Sequence, residues 1–165
     1  MDFHVGDTVI HWSYGFGKIV RLEERNLPGQ AALYYVVQLR DLTVWVPVDG
    51  ELMSRLRSPT PRSKFEELFA ILRSPGESLP NDRLERRTLL LKEQKDGCAE
   101  ANCRIIRDLS SYQQANPMND NDKLVLKRTL DSLLGEWMFS LSVPFAQAEL
   151  ELGRLLNHQP HMAEV

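Results

Sequence analysis

Five basic side chains lie in the segment LPNDRLERRTLLLKEQK, residues 79–95, of a chain whose formal net charge is −3. Arginine and lysine side chains at this density can contact phosphate groups, and such contacts bind nucleic acid without reading its base sequence. Successive residues of an α-helix are about 100° apart, so Arg83, Arg86 and Arg87 share one face. The segment therefore offers a cationic helix face for contact with phosphate.

The rest of this segment leaves two interpretations open. Leu84, Leu91 and, roughly, Thr88 mark the opposite helix face, which we expect to be buried. Glu85 and Glu93 dilute the positive charge, so composition alone also fits an ordinary solvated face. The net charge of −3 argues against a protein that coats nucleic acid in bulk. It is compatible with a local basic face, because salt limits the reach of distant charges to roughly 10 Å.

Side chains that could catalyse a reaction or bind a metal ion form no known motif. The sequence lacks the Walker, GxSxG, HExxH and dinucleotide-binding patterns. His158 and His161 are three residues apart, but they flank Pro160 in a segment that we expect to be disordered, so no metal site is predicted. Cys98 and Cys103 do not form a CxxC motif and are predicted to be free thiols. A binding protein without a cofactor is favoured over an enzyme that uses helical carboxylates.

Size and hydropathy place the chain among globular proteins. It has 165 residues, of which 42% are hydrophobic and 26% are charged, so one domain or two small ones are expected. No apolar run approaches the roughly 18 residues that a membrane span needs. The N-terminal stretch MDFHVGDTV lacks the basic and apolar regions of a secretion signal. We therefore expect a cytoplasmic protein with no membrane partner.

Residues 1–57 are predicted to form a small β domain. Gly15 and Gly17 suit the reversal after the first strand, because only glycine takes a positive φ without strain. Arg40–Asp41 alone separate the last two strands, which predicts a tight hairpin. The expected fold is a Tudor/SH3-like β-barrel or a bent antiparallel sheet. The β-branched and aromatic residues that strands prefer fall in four segments: 7–12, 18–25, 32–40 and 42–48.

From residue 58 the apolar residues recur at helical spacing. The stretch SPTPR, residues 58–62, is a predicted linker, and residues 63–156 are predicted to form an all-α bundle of about five helices. The fold class is therefore α+β. Residues 157–165 are expected to form a disordered tail.

Several helix ends carry their own signals. Ser63 and Glu66 have the spacing of a capping box for the first helix of the bundle. Asn81 or Asp82 is expected to cap the second helix, over about 82–95. Ser142 is expected to cap the last helix, with Pro144 in its first turn. Two further helices are predicted over about 98–114 and 120–141.

Both halves of the chain resemble the CarD/CdnL-like bacterial transcription regulators. The stretches VGDTVIHWSYGFGKI, LYYVVQL and LTVWVPV are similar to the RNA-polymerase-interacting domain that these regulators share with the transcription-repair coupling factor. The stretches ANCRIIRDL (101–109) and NDKLVLKRTLDSLLGE (121–136) continue the resemblance, which covers about residues 2–156. The chain is short and has no Walker motif, so it fits the CarD/CdnL branch rather than the coupling factor, which is a helicase.

The resemblance implies that the β domain docks on the β subunit of bacterial RNA polymerase by pairing a strand edge. Arg25 stands where the family has a basic residue that grips the polymerase, and the docking strand contains Val44, Trp45, Val46 and Pro47. Trp45 occupies a place where the family often has a basic residue. An aromatic residue there is expected either to anchor the interface or to pack on the β domain itself.

The resemblance also implies that the helical domain contacts promoter DNA at the upstream edge of the melted region and holds the open complex. The residues expected to face DNA are Arg83, Arg86, Arg87 and Lys123, with weak and largely sequence-independent binding. Arg83 stands where the family commonly has a tryptophan wedge, and an arginine cannot act as an apolar wedge. The alternative is a polymerase-bound adaptor that works through protein–protein contact. In either case we expect a monomer that is not an enzyme.

Overall fold

The computed structural model describes residues 3–157 and shows an α+β fold that begins with an antiparallel sheet. The sheet order is β4-β3-β2-β1-β5, so β4 and β5 are its edges. The sheet is therefore open, and the bent-sheet form of the predicted fold is confirmed. A short helix, α1 (Leu52–Arg55), precedes the last strand and was not predicted. The strands are β1 (Thr8–His11), β2 (Gly15–Leu27), β3 (Gln30–Gln38), β4 (Thr43–Pro47) and β5 (Leu56–Arg57).

Five helices follow the sheet, as predicted. A short 3₁₀ turn over Arg62–Lys64 leads into the first of them. The helices are α2 (Phe65–Arg73), α3 (Arg83–Asp96), α4 (Ala99–Ala115), α5 (Asp120–Leu141) and α6 (Phe145–Asn157). No helix within residues 3–157 is long and apolar enough to cross a membrane. The predicted tail lies, after Asn157, outside the described residues.

The helix ends follow the sequence signals only in part. Asp82 caps α3 as predicted, because its carboxylate accepts hydrogen bonds from the backbone N–H groups of Leu84 at 2.7 Å and Glu85 at 3.2 Å. The capping box predicted at Ser63 and Glu66 is wrong. The chain enters α2 through the 3₁₀ turn instead, and Lys64, at the cap position of α2, makes no side-chain cap hydrogen bond.

Each half has its own main hydrophobic core, and a third, smaller cluster around Leu90 lies between α3 and α4. The sheet buries one face around Val9, Ile19 and Tyr35. The helices bury a larger core around Trp137, whose ring centroid lies 4.9 Å from that of Phe69. Burial of an aromatic or aliphatic side chain stabilises the fold by about 1.5–3 kcal/mol, so these clusters dominate the stability of each half.

Glycine allows the sheet and the helices to approach closely. Gly15 has a φ of +82°, as the predicted reversal requires, and a Cβ there would lie 3.0 Å from Ser132 of α5. A Cβ at Gly135 of α5 would likewise lie 3.0 Å from the Cβ of Phe16. The predicted positive φ at Gly17 is wrong; that residue is small because Val37 leaves no space for a Cβ.

An ion pair joins the last strand to α5. The Arg57 guanidinium donates two hydrogen bonds to the Glu136 carboxylate, at 2.7 and 2.8 Å. Glu136 is fully buried and also accepts the backbone N–H of Thr60, in the predicted linker, at 2.6 Å. The Ser140 hydroxyl donates to the Thr60 carbonyl at 2.7 Å. Both backbone groups of Thr60, the N–H and the carbonyl, are thus bonded to α5, and these bonds fix the segment between the halves to that helix.

Candidate interaction surfaces

The outer strand β4 pairs with β3 on one side only. Just beyond its two ends, Leu39 donates its backbone N–H to the carbonyl of Leu42 at 2.8 Å, and Val48 donates to Leu33 at 2.9 Å. Backbone hydrogen-bonding groups alternate in direction along a strand. The even-numbered residues of β4 therefore point their N–H and C=O groups toward β3, and the odd-numbered residues point theirs away from the sheet.

The odd-numbered residues form the free rim of β4, which consists of the backbone of Thr43, Trp45 and Pro47. Thr43 and Trp45 each offer an N–H and a carbonyl there. Pro47 has no N–H to offer, and the Arg55 guanidinium lies within hydrogen-bond reach of its carbonyl, at 3.5 Å. A strand added at this rim therefore finds its partners at Thr43 and Trp45 and loses them at Pro47. No strand within residues 3–157 covers the rim.

The predicted polymerase-binding residues of β4 divide between its two faces. Val46 is 2% exposed and belongs to the sheet core, against which Val44 also packs. Trp45 is 38% exposed and lies on the opposite face, above Val36 of the neighbouring strand. The two valines thus hold the strand in place, while the indole is available to a partner.

Trp45 belongs to an exposed arginine–aromatic cluster, which we define as Glu23, Arg25, Tyr34 and Trp45. The indole N–H donates to the Glu23 carboxylate. The Arg25 guanidinium lies 4.8 Å from the Trp45 ring centroid and 6.0 Å from that of Tyr34, within cation–π range. The structure therefore brings together Arg25 and Trp45, which the sequence marked separately. The Arg25 side chain is 48% exposed and keeps donors for a partner.

The arginine at the centre of the predicted basic face is buried. Arg86 is 3% exposed, and its Nε and Nη2 donate to the Asp122 carboxylate at 3.0 and 2.9 Å. Its Nη1 donates to the carbonyls of Pro80 and Asn81 at 3.0 and 3.1 Å, and the Tyr112 ring lies 4.8 Å away. The hydrogen bonds to Asp122 raise the pKa of Arg86, so the guanidinium stays charged. The prediction that Arg86 belongs to an exposed cationic face is wrong.

The predicted buried face of α3 is in fact exposed. Leu84 is 73% exposed and Leu91 is 43% exposed, and Thr88 is exposed as well. The helix instead packs through Leu90 and Arg86. Leu84 lines a shallow groove of about 400 Å³ at the beginning of the helix. Sequence reasoning missed this exposed leucine, because an apolar residue opposite a set of arginines is the usual mark of a core position.

Three of the four predicted DNA-contacting residues remain exposed. Arg83 and Arg87 lie on α3, on either side of Arg86 in sequence, and Lys123 directly follows Asp122 in the first turn of α5. The buried Arg86–Asp122 pair therefore links the beginning of α3, which carries Arg83 and Arg87, to the first turn of α5, which carries Lys123. We name Arg83, Arg87 and Lys123 the basic junction. None of them forms an ion pair within residues 3–157.

The cysteines and histidines show other roles. Both cysteines are free thiols as predicted. Burial raises the pKa of the Cys103 thiol, while the Cys98 sulfur accepts the N–H of Ala101 at the beginning of α4. Burial lowers the pKa of His11 to about 4, and its Nδ1 accepts two backbone N–H groups. Residues 3–157 contain no metal-binding group of three or more histidine, cysteine or acidic side chains, and His158 and His161 lie outside the described residues.

The antiparallel sheet with the free rim belongs to a known family of domains. Residues 3–57 match the family model of the CarD-like/TRCF RID domain, so this part of the chain is a domain of that RNA-polymerase-interacting family. A Bacillus subtilis (strain 168) protein named "Putative transcription factor YdeB" is 26% identical over 140 residues, which cover 81% of this chain and 89% of that protein. So long a match extends beyond the sheet into the helices.

Proposed function

We propose that this protein regulates transcription by binding the β subunit of RNA polymerase through β4 and contacting promoter DNA, near the upstream edge of the melted region, through the basic junction. The DNA contact stabilises the open complex. The observation that carries the proposal is the free rim at Thr43 and Trp45 in a domain of the RNA-polymerase-interacting family. An exposed rim can accept a partner strand, in which main-chain hydrogen bonds give affinity and side chains give specificity.

The arginine–aromatic cluster supports the polymerase contact. Trp45 offers its backbone N–H and carbonyl at the rim and a half-exposed indole on the adjoining face. A partner strand that pairs with the rim, and the surface beside that strand, can therefore both contact this one residue. Tryptophan and arginine are the side chains that most often dominate binding energy at interfaces. Arg25, whose guanidinium lies over that indole, offers its charge to an acidic group of the partner.

The basic junction supports the DNA contact. Three exposed cations neutralise few phosphates, so we expect the logarithm of the binding constant to fall by about 0.9 per neutralised phosphate for each logarithmic unit of salt. Such binding is weak for the free protein. Attachment to the polymerase raises the effective DNA concentration to roughly the millimolar range, where weak contacts suffice.

A proline substitution tests strand pairing at the rim. Thr43→Pro removes one outward N–H and no hydrogen bond to β3, since proline is tolerated where an edge strand faces solvent. Thr43→Val is the matched control, because it also loses the bond from the Thr43 hydroxyl to Gln38 but keeps the N–H. Co-precipitation with the polymerase β subunit should fall at least severalfold for Thr43→Pro only. Equal binding by the two variants excludes pairing at Thr43.

Charge reversal separates the regulator from a second candidate, the protein–protein adaptor, which is favoured by the exposed leucines of α3. Arg83→Glu with Arg87→Glu should shorten the lifetime of polymerase–promoter open complexes while polymerase binding is retained. Arg73→Glu, an exposed arginine at the end of α2, controls for charge. An unchanged lifetime supports the adaptor and excludes the DNA contact.

A further inference from the structure

The Arg86–Asp122 pair is buried between the beginnings of α3 and α5. The two side chains are 3% and 2% exposed. Asp122 accepts from Arg86 through both carboxylate oxygens and also accepts the backbone N–H of Asn119 at 3.2 Å. That last bond belongs to the capping box at the beginning of α5. One carboxylate therefore fixes the first turn of α5 and holds α3 against it.

The same guanidinium fixes the beginning of α3. It donates to the carbonyls of Pro80 and Asn81, the two residues before the capping Asp82. Its Cζ lies over the ring of Tyr112, a residue of α4, at 4.8 Å from the ring centroid. A single side chain thus determines how the first turns of α3 and α5 lie relative to each other and to α4.

We infer that Arg86 and Asp122 are positioning residues, which hold Arg83, Arg87 and Lys123 as one DNA-contacting surface while Arg86 itself contacts no phosphate. The inference rests on the proposed DNA contact. The competing view is that Arg86 binds DNA directly, as its place among basic residues suggests. Direct contact requires Arg86 to leave Asp122, which then remains as a buried carboxylate without its counter-charge, and such groups are strongly unfavourable.

Replacing the pair with apolar residues tests the inference without changing the net charge. Arg86→Met with Asp122→Leu removes one charge of each sign, and hydrophobic replacements of buried ion pairs are often tolerated. The full chain is titrated against a fluorescein-labelled DNA duplex with an unpaired segment, by anisotropy, at several low salt concentrations. Circular dichroism monitors the fold.

Positioning predicts that the folded apolar double variant keeps the salt dependence of the original chain, because no phosphate contact is lost, even where its affinity falls with the bonds that held α3 and α5. Arg87→Gln is the matched loss of an exposed cation. It should make the fall of the logarithm of the binding constant with the logarithm of salt less steep by about 0.9. Arg86→Gln alone should weaken binding severalfold, because it leaves Asp122 unpaired. If the slope of the logarithm of the binding constant against the logarithm of salt also becomes less steep by about 0.9 for the folded double variant, Arg86 contacts phosphate and the inference is overturned.

A second comparison decides the matter even if the double variant does not fold. Asp122→Asn and Asp120→Asn each remove one negative charge from the first turn of α5, but Asp120 is exposed. Positioning predicts weaker DNA binding by Asp122→Asn than by Asp120→Asn. Direct contact predicts equal or tighter binding by Asp122→Asn, because Arg86 is released toward the DNA, and that result overturns the inference.

The proposed function and this inference fail in different ways. If the unsubstituted chain does not bind the duplex, or if Arg83→Gln and Arg87→Gln bind as it does, the proposed DNA contact is wrong, and the inference that rests on it falls with it. If those variants behave as expected and only the Arg86 and Asp122 variants depart from the pattern above, the proposed function stands and the inference alone is wrong.

Discussion

Arg25 and Arg86 make the same aromatic contact in opposite surroundings. Each guanidinium lies 4.8 Å from the centroid of an aromatic ring. Arg25 is half-exposed on the sheet, and its nearest carboxylate oxygen is 3.9 Å from its Nε. Arg86 is buried among helices, with carboxylate oxygens at 2.9 and 3.0 Å. The ring does not decide what the arginine does; the donors that remain free decide whether it can bind a partner or only hold the fold.

The largest expected effect comes from removing the buried arginine of this comparison, Arg86. Arg86→Gln should lower the free energy of unfolding by about 3–5 kcal/mol, because it leaves Asp122 buried without a counter-charge. Arg25→Gln should lower it by less than about 1 kcal/mol, because the charge is exposed. Urea denaturation monitored by circular dichroism measures both. Similar losses for the two variants contradict the assigned roles.

Glu136 extends the comparison to the boundary between the halves. Glu136→Gln should lower the free energy of unfolding by about 2–3 kcal/mol, since the Arg57 guanidinium keeps a neutral partner but loses the buried charge pair. Glu149→Gln, on the exposed side of α6, is the control and should change it by less than about 0.5 kcal/mol. The midpoint of urea denaturation is the measurement, and a Glu149 effect as large as that of Glu136 speaks against the ion pair.

His11 adds a group that the fold keeps uncharged. Burial lowers its pKa from 6.5 to about 4. Between those values the unfolded chain binds a proton that the folded chain excludes, so stability falls as pH falls, by about 2 kcal/mol at pH 5. His11→Asn retains an acceptor for the backbone N–H groups but does not titrate. Denaturation midpoints from pH 7 to pH 4.5 should fall less steeply for the variant; parallel curves exclude His11 as the cause.

The smallest expected effect concerns the exposed contact between Arg25 and Trp45. Trp45→Phe keeps a ring beneath Arg25 but removes the N–H that donates to Glu23. Stability should change by less than about 1 kcal/mol, and polymerase binding should weaken less than for Arg25→Glu. Isothermal titration with the β subunit measures the difference. Equal loss for both variants places the indole N–H, rather than the cation, at the centre of the contact.

The periodic elements could be predicted from local residue patterns. The helix over 120–141 has the bounds that its leucine spacing predicts, and Asp82 caps α3 as its side chain suggests. Strands rich in valine and tyrosine pair in an antiparallel sheet, as their composition favours. The 3₁₀ turn before α2 departs from the pattern; Thr60, two residues before it, is bonded to Glu136 of α5, a distant contact that no local pattern shows.

The orientation of α3 could not be predicted from its own residues. Its leucines lie at several angles around the helix, so the grouping of Leu84 and Leu91 opposite the arginines did not mark the buried side, which is formed by Leu90 and Arg86. The deciding partner, Asp122, is 36 residues away from Arg86. A pattern within one helix cannot show that a carboxylate on another helix neutralises one arginine among several. The same reason hid the contact between Arg25 and Trp45, which only the strand register brings together.

The bonds at Thr60 have a consequence for the distance between the two proposed contacts. Within residues 3–157, Thr60 has its N–H and carbonyl both bonded to α5, and Gly15 lies against Ser132, so the sheet packs directly on the bundle. A polymerase that binds the sheet would therefore also fix the orientation and position of the helical bundle. In the proposed function, the distance between the polymerase contact at β4 and the basic junction would then be set by the fold itself.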